Sequence, residues 1–136
     1  MTPIPTIIHH GGHNDVTGSC HELVVSRQDS LLVDCGLYQG PDGEGDGADS
    51  AGHRSSIMAQ QIDFDISRVR ALVATHCHLD HIGRIPHLLA AGFTGPIICS
   101  KPTALVLPAM LDDALRIGFT RDTSLVRRVL ALIKDR

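Results

Sequence analysis

Apolar residues in the first half of the chain fall in short alternating runs, and in the last third they recur at helical spacing. Thr6–His9 and Cys20–Ser26 (CHELVVS) read as strands separated by a glycine-rich turn. Arg27-Gln28-Asp29 then returns the chain into Ser30–Asp34 (SLLVD), which predicts a hairpin or meander. With a period of two, Leu23, Val25, Leu31 and Val33 are expected to share the buried face. Val69–Thr75 (VRALVAT) is almost continuously apolar, as in a strand covered on both faces, and Pro96–Ser100 predicts another short strand. Helices follow from the remaining pattern. Ile82–Ala91 carries Pro86 in its first turn and stops at Gly92. Thr103–Ile117 begins after Ser100-Lys101-Pro102 and should kink at Pro108. Asp122–Asp135 aligns Leu125, Val126, Val129, Leu130, Leu132 and Ile133 on one face. Residues 40–52 show no apolar periodicity and read as a mobile loop, whose acidic residues lack the spacing of a helix-flanked calcium site.

Composition narrows the class. With 136 residues, 43% of them hydrophobic, the chain fits one domain, and its scattered 13 Gly and 7 Pro exclude collagen-like and low-complexity readings. Lys and Arg number 12 against 15 Asp and Glu, a formal charge of −3, so no long-range field draws the chain onto a polyanion. There is no apolar run of membrane length and no basic segment followed by an apolar core at the N-terminus. The expectation is therefore a cytoplasmic protein without a membrane partner. The four cysteines form no C-x-x-C pair, which weakens zinc-ribbon and redox-motif readings. No glycine-rich nucleotide motif occurs, and the order of elements lacks the strict alternation of a doubly wound fold.

The nine histidines carry more information. Four of the nine residues in THCHLDHIG, Thr75 to Gly83, are His or Asp. If His76 extends the strand, His76 and His78 point to the same side and can hold one metal ion. Asp80 and His81 follow at the turn into the helix. Four such side chains within six residues cannot reach one tetrahedral centre without strain, so two adjacent ions are the simpler geometry: His76 with His78, and Asp80 with His81. Mixed imidazole and carboxylate donors suit zinc, with manganese or iron as alternatives. A water-bridged metal pair supplies hydroxide at neutral pH and stabilises charge on an attacked ester or phosphodiester. The bland alternative is a set of solvated or capping residues. Cys77 should face away from the two histidines. His9, His10, His13, His21 and His53 are available to complete a site, although each is ordinarily a solvated or hydrogen-bonded histidine, and His87 is expected to be exposed.

THCHLDHIG resembles the signature of the metallo-β-lactamase fold. VTGSCHEL (Val16–Leu23), LLVDCGLYQG (Leu31–Gly40) and SKPTALVLPAMLDDA (Ser100–Ala114) are similar to segments of its RNA-processing branch, the β-CASP nucleases. The resemblance implies an α/β fold, part of an αββα sandwich, and a metal-dependent hydrolase cleaving RNA phosphodiester bonds with two zinc ions. It assigns His76 and His78 to the first ion and Asp80 and His81 to the second, with Asp80 also in the catalytic role. Asp34 would support the metal loop from behind, and Gly18 and Ser19 would lie near the floor of the site. The family's later metal-binding histidines, bridging aspartate and inserted domain have no counterpart here. Residues 1–136 are thus expected to be the N-terminal part of one longer domain, with an apolar sheet face or edge left uncovered and open to self-association. Two alternatives stand beside this reading: a thiolester or lactam hydrolase of the same superfamily, and a non-catalytic metal-binding piece that needs a partner. The sequence leaves endo- or exonuclease mode open.

Overall fold

Among the described residues, five strands form one mixed sheet in chain order: β1 (Thr6–Gly11), β2 (Cys20–Val24), β3 (Ser30–Val33), β4 (Val69–Val73) and β5 (Ile97–Ile98). The computed structural model describes residues 4–14, 16–38, 60–118 and 120–135; the stretch 40–52 and His53 lie outside these. The first three strands are the expected antiparallel meander, with His9 opposite His21 and Leu23 opposite Leu31. β3 then pairs in parallel with β4, and β4 with β5. Consequently the C-terminal ends of β1, β3 and β4 and the start of β2 meet at one end of the sheet.

Four helices follow β4: α1 (Leu79–Ile82), α2 (Ile85–Ala90), α3 (Lys101–Gly118) and α4 (Thr123–Lys134). The single helix expected over Ile82–Ala91 is thus two short ones broken at Gly83-Arg84, and helix already begins at Leu79. Pro86 sits in the first turn of α2, where its missing N–H costs nothing. Ser100 and Asp122 open α3 and α4: the Ser100 hydroxyl accepts the Thr103 N–H, and the Asp122 carboxylate accepts those of Ser124 and Leu125. Pro108 lies inside α3.

The helices cover one face of the sheet. Cys20, Leu32, Val69, Leu72 and Ala74 pack there against Ile82, Ile85, Leu88, Leu107, Leu111 and Ile133. This corrects the expected parity, because the inward residues of β2 and β3 are Cys20, Glu22, Ser30 and Leu32. Leu23, Leu31 and Val33 lie on the opposite face, half-buried and outside that core, while Val25 beyond β2 is 48% exposed. Alternation alone could not choose between two apolar faces; the helices decide it. Ile7 and Ile98, also on the second face, are 59% and 52% exposed, and no described helix covers them.

Two polar residues of the helix-covered side are buried for different reasons. Glu22 accepts from Arg68 Nε (2.7 Å) and contacts His10 Nε2 (2.9 Å), and the His10 ring stacks on Phe64 at 3.7 Å. Burial alone would raise the Glu22 pKa, but the bonds from Arg68 and His10 outweigh it and hold the pKa at about 2. His87, expected on the surface, is buried because its side of α2 faces Leu115, Val126 and Val129 of α3 and α4. That burial, with the nearby Arg84 cation, lowers its pKa to about 4. None of the described helices is long and apolar enough to cross a membrane.

Candidate metal centre

At the sheet end where β3 and β4 finish, three sequence segments interlock through their backbones. The carbonyls of α1 have few partners within so short a helix. Leu79 O accepts the Leu37 N–H (2.9 Å), Asp80 O that of Ser19 (2.8 Å), and His81 O that of Cys35 (2.8 Å). Gly36 N–H in turn donates to Ser19 O at 2.9 Å. A side chain at Gly36 would place its Cβ 1.6 Å from Asp80 O, so only glycine permits this approach. The segments VTGSC, VDCG and THCHLDHIG therefore occur together for a structural reason: each closes the backbone of another.

Asp34, directly after β3, is buried at 2% exposure and takes a left-handed φ of 60°, which no other non-glycine among the described residues adopts. Such a conformation costs about 1 kcal/mol for an L-residue. Four donors hold it in place. Its carboxylate accepts from Thr75 N–H (2.8 Å), Thr75 Oγ1 (2.9 and 3.0 Å), Ser19 Oγ (3.2 Å) and His81 Nδ1 (2.7 Å).

Around this anchor the structure brings together all four ligand-type residues of the cluster. His76 lies beyond the end of β4, and His78 caps α1, rather than both extending the strand. Even so, His76 Nε2 and His78 Nδ1 face each other at 3.2 Å, and the His76 and His81 rings lie 4.0 Å apart. Asp80 and His81 are on α1 rather than in a turn, with His81 Nε2 at 3.5 Å from Asp80 Oδ2. Cys77 turns away, its Sγ donating to Thr103 O at 3.7 Å.

The donor set suits divalent ions. Because His81 Nδ1–H donates to Asp34, the neutral ring presents a lone pair from Nε2 toward a carboxylate oxygen that also only accepts. Two acceptors facing each other favour a cation between them. Four-coordinate zinc, with bonds of about 2.0–2.1 Å, sets its donor atoms about 3.3–3.4 Å apart, and the two observed separations lie on either side of that value. Among the described residues no three His, Cys, Asp or Glu side chains close around a common point, so the centre consists of two donor pairs.

Among the described residues, His9, His10, His13 and His21 make contacts of their own. His9 Nδ1 meets His21 Nδ1 at 2.8 Å, and the His13 ring stacks on His9 with centroids 4.7 Å apart. His10 turns to Glu22 on the other face. Burial, followed by the neighbouring His9, lowers the His21 pKa. The residue that sequence reasoning passed over is Thr75. Its signal was its place between an apolar strand and the first histidine, but a search for ligand-type side chains does not stop at a hydroxyl.

A family model of the metallo-beta-lactamase superfamily matches residues 13–132. The chain belongs to this superfamily. Among curated relatives, a ribonuclease from Thermus thermophilus is 34% identical over 82% of this chain and 23% of its own length. Subunit 3-II of the cleavage and polyadenylation specificity factor of Arabidopsis thaliana is 29% identical over 82% of this chain and 17% of its own length. A transcription termination factor of Methanococcus maripaludis is 33% identical over 76% of this chain and 15% of its own length. The chain thus spans less than a quarter of each of these relatives. Two of them are named for RNA cleavage or processing, as is the branch that the motifs resemble.

Proposed function

We propose that the chain carries part of the active site of a metal-dependent hydrolase that cleaves RNA phosphodiester bonds. His76 with His78 would hold one divalent ion and Asp80 with His81 a second, with zinc the first ion to test. The observation that supports this most directly is the pair of donor contacts at 3.2 and 3.5 Å, backed by one buried carboxylate. Bound divalent ions acidify water and neutralise charge developing on a phosphodiester. The residues of this chain have separate tasks. Asp34 keeps His81 Nε2 free of its proton, Ser19 braces Asp34, and the Gly36 contact fixes α1 against the end of the sheet. RNA as substrate rests on the relatives, two of which are named for RNA processing or cleavage.

The domain reading belongs to the same proposal: residues 1–136 are the N-terminal part of one metallo-β-lactamase-like domain. The half-exposed face bearing Ile7, Leu31, Val73 and Ile98 is where further protein surface packs, including a second copy of this chain. A second functional reading, a non-catalytic metal-binding piece, draws on the absence of a closed three-donor set among the described residues.

Metal content after exhaustive dialysis, measured on the chain and on His78→Ala, tests the site. Cleavage of end-labelled RNA with added zinc or manganese tests the activity. Retained ions that are lost in His78→Ala, with ion-dependent cleavage, are expected. Retained ions without cleavage would favour the non-catalytic piece, and no retained ion in either protein would defeat the assignment.

A further inference from the structure

We propose that Thr75 is a positioning residue that sets the tautomer of His76, and so links a second histidine of the candidate centre to Asp34. The inference rests on the metal-site reading above and adds a role for a side chain that is itself no ligand.

A threonine hydroxyl has one hydrogen to give. Thr75 Oγ1 lies 3.0 Å from Asp34 Oδ1 and 2.9 Å from Asp34 Oδ2, and a carboxylate only accepts. The hydroxyl hydrogen is therefore committed to Asp34. What Thr75 Oγ1 offers His76 Nδ1, at 3.1 Å, is a lone pair. His76 Nδ1 must carry the ring proton, which leaves Nε2 as the lone pair in the neutral ring. Nε2 is the atom that faces His78 Nδ1 at 3.2 Å. Asp34 thus fixes two imidazoles at once: His81 directly through Nδ1 and His76 through the hydroxyl. In both rings the proton sits on Nδ1 and the free lone pair on Nε2. The backbone makes this arrangement firm, since Asp34 also accepts the N–H of Thr75 at 2.8 Å.

His78 has no such backing among the described residues. With His76 Nε2 as acceptor, His78 Nδ1 donates to it, and to hold an ion through Nδ1 the ring would have to carry its proton on Nε2 instead. The two halves of the pair differ: His76 is set beforehand, and His78 rearranges.

Long-range nitrogen–proton NMR of the 15N-histidine-labelled, metal-free chain reads each tautomer directly. Wild type should show His76 protonated at Nδ1, Thr75→Ser should preserve this, and Thr75→Val, of equal shape, should release it. Zinc affinity, measured against a chromophoric chelator, should fall about 10- to 100-fold in Thr75→Val and stay within about 3-fold of wild type in Thr75→Ser. A wild-type His76 protonated at Nε2 overturns the proposal without any variant. So does a Thr75→Val protein with unchanged tautomer and unchanged zinc affinity. If wild type binds no zinc, the metal reading fails, yet the tautomer of His76 in the three proteins still decides the role of Thr75.

Discussion

His76 Nε2 approaches His78 Nδ1 to 3.2 Å, and His9 Nδ1 approaches His21 Nδ1 to 2.8 Å. Both contacts join imidazoles two positions apart on one side of the chain or opposite each other across the sheet, and both lie toward the same end of it. Behind the first stands Asp34, reached through Thr75, with His81 as a second ring on the same carboxylate. Behind the second, no carboxylate of a described residue lies within hydrogen-bond distance of either ring. Proximity of two histidines is therefore the lesser part of a metal site. What distinguishes the first pair is that its environment decides in advance where the ring protons sit.

Removing the anchor should have the largest effect. Asp34→Asn tolerates the left-handed backbone but presents an amide where Thr75, Ser19 and His81 all need an acceptor. A loss of about 2–3 kcal/mol in urea denaturation is expected. Asp34→Ala should lose about 1 kcal/mol more, because alanine resists a φ of 60°. If Asp34→Asn is within about 0.5 kcal/mol of wild type, the anchor explains little. A direct ligand comes next. His78→Ala should weaken zinc binding by at least about 100-fold, since even residues behind the ligands are worth about 10- to 100-fold. Equilibrium dialysis would show this, and unchanged binding would break the distinction between the two pairs.

Much of this was legible in the sequence, for identifiable reasons. The strands were readable because turns such as Arg27-Gln28-Asp29 and the apolar run Val69–Val73 are local signals. The four residues at 76–81 stood out because ligand-type side chains are dense there. The buried face of β2 and β3 was not readable, since Leu23 and Leu31 are as apolar as Leu32 and burial depends on where α3 and α4 land. The burial of His87 failed for the same reason. Thr75 was missed because its role depends on Asp34, more than forty residues earlier in the chain.

A carboxylate can anchor a histidine without making a metal site, and Glu22 with His10 supplies that control. Glu22→Gln should cost about 2 kcal/mol at neutral pH, because a buried charged acceptor for Arg68 and His10 is lost. The sign of its pH dependence follows from the lowered pKa. A carboxyl held at about 2 in the folded chain, against 4.5 unfolded, stabilises the fold fully above 4.5 and loses that contribution as pH falls toward 2. The gap between wild type and Glu22→Gln should therefore close over that interval. His87 also destabilises in acid: buried and neutral down to about 4, it loses stability as pH falls from 6.5, where the unfolded ring already binds a proton. Being common to both proteins, that contribution cancels in the difference. A gap that stays constant from pH 6 to 3 would contradict the charged state of Glu22. Zinc affinity should not change in Glu22→Gln, because its ring partner is turned to the other face.

The smallest effect is expected where the imidazoles are closest. His9→Gln and His21→Gln each replace one ring of the 2.8 Å contact with a side chain that can still donate or accept. Neither ring is held by a described carboxylate, and His9 is exposed, so stability should shift by no more than about 0.5 kcal/mol. Burial lowers the His21 pKa most, followed by His9, with His13 and His81 acting in the same direction, so removing His9 takes away one of these causes and should move the His21 titration upward, which NMR can follow. Zinc affinity at the candidate centre should stay within about 3-fold of wild type in both variants. A His9→Gln protein that binds zinc as poorly as His78→Ala would mean that the two pairs act as one site, and that a buried carboxylate is not what separates a metal centre from a cluster of rings.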